Sequence, residues 1–227
     1  MQPRKTGKSI DKAAVCRIFG AGEVKNVRFV SGENDLLIAA DGGFDTLNRM
    51  GLAPHVLIGD FDSLKSELPQ DIPVVRLPVC KDNTDMAAAV DYGEREGYVL
   101  FHFYGAVGGR SDHTYANYQL IADMSRRGLR GVMYDGNRRV SAISNETFHF
   151  PKNAQGTVSV FAHGGDAMGV TLAGLQYPLQ DETLSPYIPL GVSNFIVGQG
   201  PTVSVRQGTL LLMWEEEENT LEARLQT

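Results

Sequence analysis

Cysteine is nearly missing from these 227 residues: there are two, Cys16 and Cys80, far apart and in no Cys-x-x-Cys arrangement. That excludes a disulfide scaffold and a cysteine-built zinc site, and fits a reducing compartment. Long apolar runs are missing too; none approaches the ~18 residues of a membrane-spanning helix. The basic start, Met1-Gln2-Pro3-Arg4-Lys5, leads into polar residues from Gly7 to Lys12, where a secretory signal needs an apolar stretch. A soluble, cytoplasmic protein with no membrane partner is expected. Positive charge is in deficit: Lys+Arg is 21 and Asp+Glu is 27, a net of −6. The chain therefore lacks the basic footprint of a nucleic-acid binder, and none is expected as a partner. A polyanion stays within reach where a metal ion or a local basic cluster mediates. Several catalytic signatures are also missing. There is no Gly-x-Ser-x-Gly elbow, and no Gly-Lys-Ser/Thr completes a Walker loop behind Gly105–Arg110. His55, His102, His149 and His163 share no ligand spacing, and His113 beside Asp112 caps or packs as readily as it touches a substrate.

What is present is ordinary globular material, 42% apolar and 21% charged, long enough for one large domain or two small ones. In the first half, short apolar runs alternate with helical patterns. Strands are expected at 15–19, 36–40, 56–58, 74–77, 98–104 and 131–134. A short helix is expected to carry Phe44, Leu47 and Met50. In 84–96, Met86, Ala89, Val90 and Gly93 follow helical spacing behind the capping oxygens of Asp82, Asn83 and Thr84. A third helix over 112–127 ends on Arg126, Arg127 and Gly128. Strands alternating with helices predict a mostly parallel α/β sheet over residues 1–137. From 138 to 227 the pattern becomes short strands between Gly, Pro and Asn turns, at 157–161, 169–172, 202–205 and 210–214, which predicts a small β-sandwich or barrel. Glu215–Glu218 reads as a solvated tail, and Met1–Lys12 has no assigned role.

The loops after the first-half strands hold the chemistry. Asp41 follows one strand and Asp60 and Asp62 the next; Asp82 and Asp85 open a helix, and Asp112 opens another. Ligands of open α/β sheets bind outside the carboxyl ends of the strands, so these six carboxylates are expected on one rim. Carboxylate oxygens are hard ligands suited to Mg²⁺, which borrows further ligands from phosphates. Lys81 and Arg110 sit in the same loops. Each motif alone is as readily a turn or a helix cap. Their joint placement is what points to a Mg²⁺–phosphate site.

Four motifs, in order and spacing, resemble thiamine pyrophosphokinase: Ala40-Asp41-Gly42-Gly43, Ile58-Gly59-Asp60-Phe61-Asp62-Ser63, Lys81-Asp82-Asn83-Thr84-Asp85, and Gly108-Gly109-Arg110-Ser111-Asp112-His113. Gly174-Leu175-Gln176-Tyr177-Pro178-Leu179 and Ser193-Asn194 resemble that family's thiamine-side motifs, so the likeness runs from about Val15 to Trp214. It implies an α/β nucleotide-binding domain followed by a β-sandwich, a homodimer with thiamine near the subunit interface, and Mg²⁺-dependent conversion of ATP and thiamine to thiamine diphosphate and AMP. On that resemblance Asp60, Asp62 and Asp85 hold Mg²⁺, and Asp41 joins them or orients the nucleophile. Lys81 and Arg110 neutralise phosphate, and Thr84 donates to it. Gly42, Asp82, Gly108, Gly109 and Asp112 complete the ATP site, with Asp112 orienting Arg110 or binding ribose. Tyr177 stands where the family commonly has Trp and is expected to stack on thiamine. Ser193 and Asn194 are expected to hydrogen-bond its aminopyrimidine, and Asp181–Leu190 to be a loop shaping that pocket. A Mg²⁺-dependent phosphohydrolase or nucleotidyl transferase, and a non-catalytic nucleotide or thiamine binder, are the rival readings.

Overall fold

The computed structural model describes residues 14–24, 31–62, 64, 66–78 and 83–216. The apolar runs of the first half form the parallel strands β1 (Cys16–Phe19), β2 (Leu36–Ala40), β3 (Val56–Gly59), β4 (Val74–Arg76), β5 (Leu100–Tyr104) and β6 (Arg130–Asp135). Their order across the sheet is β4-β3-β2-β1-β5-β6. The chain thus winds outward from β1 to one edge and then returns to the other side of β1. The point where the direction reverses lies between β1 and β5.

Alternation along the strands separates two faces. Cys16, Ile18, Phe101 and Phe103 point to one apolar core, where α2 (Asp85–Arg95) contributes Met86, Ala89 and Val90, and α3 (Ser111–Arg126) contributes Ile121, Ala122 and Met124. Phe19, Leu37, Ala39, Leu57 and Tyr104 point to the opposite face, under Phe44 and Leu47 of α1 (Gly43–Arg49). Among the described residues no helix is long and apolar enough to cross a membrane.

The remaining strands are β7 (Arg138–Ser144), β8 (Thr147–His149), β9 (Thr157–Ala173), β10 (Leu179–Leu184), β11 (Gly191–Phe195), β12 (Thr202–Ser204) and β13 (Gln207–Glu215). β7 pairs antiparallel with β6, and β13 with β7, so hydrogen bonding continues across residue 137. The two strands expected at 157–161 and 169–172 are one 17-residue strand, β9. Its first half pairs with β13 and β11, its second with β12 and β10. Gly164, Gly165 and Gly169 between them lie at positive φ, so the strand bends where a turn was expected. The two halves face each other through one core: Val158, Val160, Leu210, Leu212 and Trp214 against Ala167, Val170, Leu172, Leu184 and Val203.

Two other expectations are corrected. Residues 181–184 belong to β10 rather than to a loop. Glu216 is not a solvated tail residue, since its carboxylate lies 3.3 Å from the guanidinium of the fully buried Arg139. Glu217, Glu218 and Met1–Lys12 lie outside the described residues.

Candidate functional site

Asp41 is the first residue beyond β2. Its N–H continues the ladder to the Ile58 carbonyl (2.9 Å), yet its φ is +46°. Aspartate tolerates this left-handed conformation better than most residues. Gly59 leaves the room for it, because a Cβ there would come within 3.1 Å of the Asp41 Cα. Beyond β3, Phe61 has φ +63°, which is rare for a bulky side chain. Phe61 packs at the edge of the α1-side core, with the Arg76 guanidinium 5.5 Å from its ring centre. The Asp62 N–H donates to Asp60 Oδ1 (3.3 Å). The outcome is a cluster in which one oxygen from each of Asp41, Asp60 and Asp62 lies within 4.8 Å of the others.

Three carboxylates this close repel one another unless a cation or proton comes between them. Their hard oxygens, set at the carboxyl ends of β2 and β3, fit a divalent cation of the Mg²⁺ kind. Asp85 lies outside this set of three. It opens α2 behind Thr84, whose hydroxyl accepts the Ala87 N–H (3.2 Å) and caps the helix while its own proton stays available to donate. Lys81, Asp82 and Ser63 lie outside the described residues.

The loops at the reversal point are tied together. Gly20 N–H donates to the Tyr104 carbonyl (2.8 Å) and Gly22 N–H to the Gly105 carbonyl (3.0 Å). Gly20-Ala21-Gly22, too short for a dinucleotide fingerprint, exists for this close approach. On the β5 side, Asn117 of α3 donates to the Ala106 carbonyl (2.6 Å), and the exposed Gly108 and Gly109 both need positive φ. Arg110 precedes α3 and pairs with Asp112 through two contacts, 2.6 and 3.2 Å. The Arg110 hydrogen bond holds the Asp112 carboxyl down at about 2. Both side chains are well exposed, so the pair is readily exchanged for an incoming anion.

A second group lies in the β-rich half. Tyr177 is 60% exposed. Asn194, expected as a ligand donor, is instead 3% exposed and engaged with backbone. Its Oδ1 accepts from the N–H groups of Tyr177 (3.0 Å) and Phe195 (2.9 Å), and its Nδ2 donates to the Tyr177 carbonyl (2.8 Å). It therefore fixes the backbone that presents the Tyr177 ring. Ser193 is exposed with φ +55°, and its N–H donates to Ser159 Oγ (3.0 Å). Tyr187, Ile188, Leu190, Val192, Phe195 and Val197 are exposed nearby in sequence. Sequence reasoning missed this apolar set; its only signal was an apolar run with no helical or alternating period.

Residues 29–133 match the family model described as thiamin pyrophosphokinase, catalytic domain, and residues 145–210 that described as thiamin pyrophosphokinase, vitamin B1 binding domain. A thiamine pyrophosphokinase of Bacillus subtilis (strain 168) is 25% identical over 187 residues, 80% of this chain and 87% of that protein. The crystal structure of thiamin pyrophosphokinase from Geobacillus thermodenitrificans superposes with a TM-score of 0.77 at 26% identity, covering 90% of this chain and 98% of that one. Thiamin pyrophosphokinase from Candida albicans, at 13% identity, retains the fold with a TM-score of 0.69 over 95% of this chain and 97% of that one.

Proposed function

As this chain belongs to the thiamin pyrophosphokinase family, we propose that it transfers the diphosphate group of ATP to the hydroxyl of thiamine, giving thiamine diphosphate and AMP. The observation that carries this reading is the convergence of Asp41, Asp60 and Asp62 at the carboxyl ends of β2 and β3, next to the reversal point of the sheet. In the reaction, the thiamine hydroxyl oxygen bonds to the β-phosphorus. The bond from that phosphorus to the α–β bridging oxygen breaks, AMP leaves with the bridging oxygen, and the hydroxyl proton passes to a carboxylate or to water. Such a transfer depends on in-line positioning and on neutralising charge.

Asp41, Asp60 and Asp62 would hold Mg²⁺, with Asp85 a further carboxylate of the same rim; the bound ion supplies charge neutralisation to the polyphosphate. Arg110 and Lys81 pair with phosphate oxygens, the former on leaving Asp112. The Thr84 hydroxyl and the loop through Gly108 and Gly109 complete the ATP side. The α/β half is thus read as the nucleotide-binding domain and the layered β half as a sandwich for thiamine. Tyr177 stacks on thiamine, Asn194 holds Tyr177 in place, and Ser193 offers its hydroxyl to the aminopyrimidine. Exposed apolar residues from Tyr187 to Val197 support a homodimer. A cytoplasmic setting agrees with the free, buried thiol of Cys16.

Incubation with ATP, Mg²⁺ and thiamine tests the reading. AMP and thiamine diphosphate are expected in equal amounts. ADP or inorganic phosphate in place of AMP would overturn it in favour of a kinase or phosphohydrolase on the same acidic rim.

A further inference from the structure

Beneath the reversal point, the strands carry a row of rings. Phe19 in β1 pairs in register with Tyr104 in β5, Tyr104 with Tyr134 in β6, and Tyr134 with Arg139 in β7. The Phe19 and Tyr104 rings stack at 4.6 Å and 22°, the Tyr104 and Tyr134 rings at 5.0 Å and 18°. The Arg139 guanidinium caps the row 4.5 Å from the Tyr134 ring centre.

A buried polar row lies one pleat below. Arg17, 2% exposed, bonds Asp35 through Nε (2.9 Å) and Nη2 (2.8 Å). Its Nη1 donates to the Tyr104 hydroxyl (3.3 Å) and reaches His102 Nδ1 (3.2 Å). An ion pair buried this deeply is no bargain for stability, since well-packed apolar residues do as well or better. Its contacts lead to Tyr104, and Tyr104 leads to the loops. Tyr104 ends β5, and its carbonyl takes the Gly20 N–H, while the next carbonyl, of Gly105, takes the Gly22 N–H. The loops are in contact there: a Cβ on Gly105 would lie 2.7 Å from the carbonyl oxygens of both Gly20 and Gly22. Movement of the Tyr104 backbone must therefore move both loops, and with them the approach to Gly108, Gly109 and Arg110. Arg17, Tyr134 and Arg139 all lie outside the two segments that match the family models.

We propose that Tyr104 is a positioning residue for the nucleotide: Arg17, gripping its hydroxyl, and the ring stack, gripping its face, set the glycine loops at the reversal point. This rests on the reading of that rim as the ATP site. Tyr104 touches no substrate; it acts through the backbone of residues 20–22 and 105–109.

The test is Tyr104→Phe, which keeps the ring in the stack and deletes the hydroxyl that Arg17 holds. It is compared with Val170→Ala, a cavity variant in the other core. Binding of α,β-methylene-ATP with Mg²⁺ is measured by calorimetry, KM for ATP and for thiamine by turnover, and stability by thermal melts. Tyr104→Phe should weaken analogue binding and raise KM for ATP by about tenfold, the scale of one lost charge-assisted hydrogen bond, with KM for thiamine unchanged. Val170→Ala should lower the Tm at least as much and leave analogue binding unchanged. Analogue binding by Tyr104→Phe equal to wild type, or equal weakening in both variants, would overturn the positioning role while leaving the proposed reaction standing. A wild-type protein that binds no ATP analogue would overturn both.

Discussion

Two residues with left-handed backbones build the acidic cluster. An Asp-x-Asp pair in an extended segment would share one side, but the cluster also needs Asp41 from a neighbouring strand end, and the unusual φ of Asp41 and Phe61 accompanies that convergence. Strain of this kind persists where surrounding packing over-determines it, and it gathers at functional sites. Asp62→Asn keeps the side-chain shape and removes one charge from the set. Turnover should fall on the order of 10²-fold or more, as for loss of one preorganised electrostatic group. Near-normal turnover at saturating Mg²⁺ would contradict the assignment. In the β-rich half, Asn194 is bound to backbone rather than open to a ligand. Ser193-Asn194 was legible as a motif, but sequence could not tell a ligand donor from a backbone clamp, because both need the same amide.

At the scale of elements, helices were the most legible. Thr84 was expected among the caps and is the N-cap of α2, and the apolar positions Met86, Ala89, Val90 and Gly93 are its buried face. β9 was not legible, because glycines that read as a turn instead let one strand bend while its ladder continued. The Asp-Gly-Gly motif is also an element-scale feature. Gly43, the first residue of α1, packs so closely on β1 that a Cβ there would collide with the Phe19 carbonyl. Alanine favours helix over glycine by roughly 1 kcal/mol, yet Gly43→Ala should destabilise by about 1–3 kcal/mol through overpacking. Chemical denaturation should show this loss, and a gain in stability would mean that α1 shifts freely.

For the whole molecule, buried polar groups set the response to pH. Burial, reinforced by the Arg17 charge, holds His102 down at about 3 from its ordinary 6.5. Above pH 6.5 the folded and unfolded chains both carry it neutral. Below that, the unfolded chain takes a proton that the fold refuses, so stability falls as pH drops from 6.5 towards 3. Between pH 7 and 5 the loss from this group should reach about 2 kcal/mol. Urea melts of wild type and His102→Asn at both pH values check this, and equal slopes would remove His102 as the cause. At the end of the ring row, Glu216 is the carboxylate partner of the 1%-exposed Arg139 and its N–H donates to the Asn137 carbonyl (2.8 Å). Glu216→Ala should therefore cost about 3 kcal/mol, since it strands a buried charge; a melt within error of wild type would refute the pairing.

Much of this protein is written along the chain. Strand and helix periodicity dictates the α/β half, and the order of aspartate motifs after its strands places their carboxylates on one rim, because chain direction alone sends those loops to one edge of a parallel sheet. Tertiary structure alone decides which carboxylates meet. It brings Asp41 to Asp60 and Asp62 with Asp85 outside that set, engages Asn194 with backbone, bends β9 through two layers, and buries Arg17 and Arg139 against tyrosine rings. Each of these depends on contacts between residues distant in sequence, and local propensity carries no information about such distances.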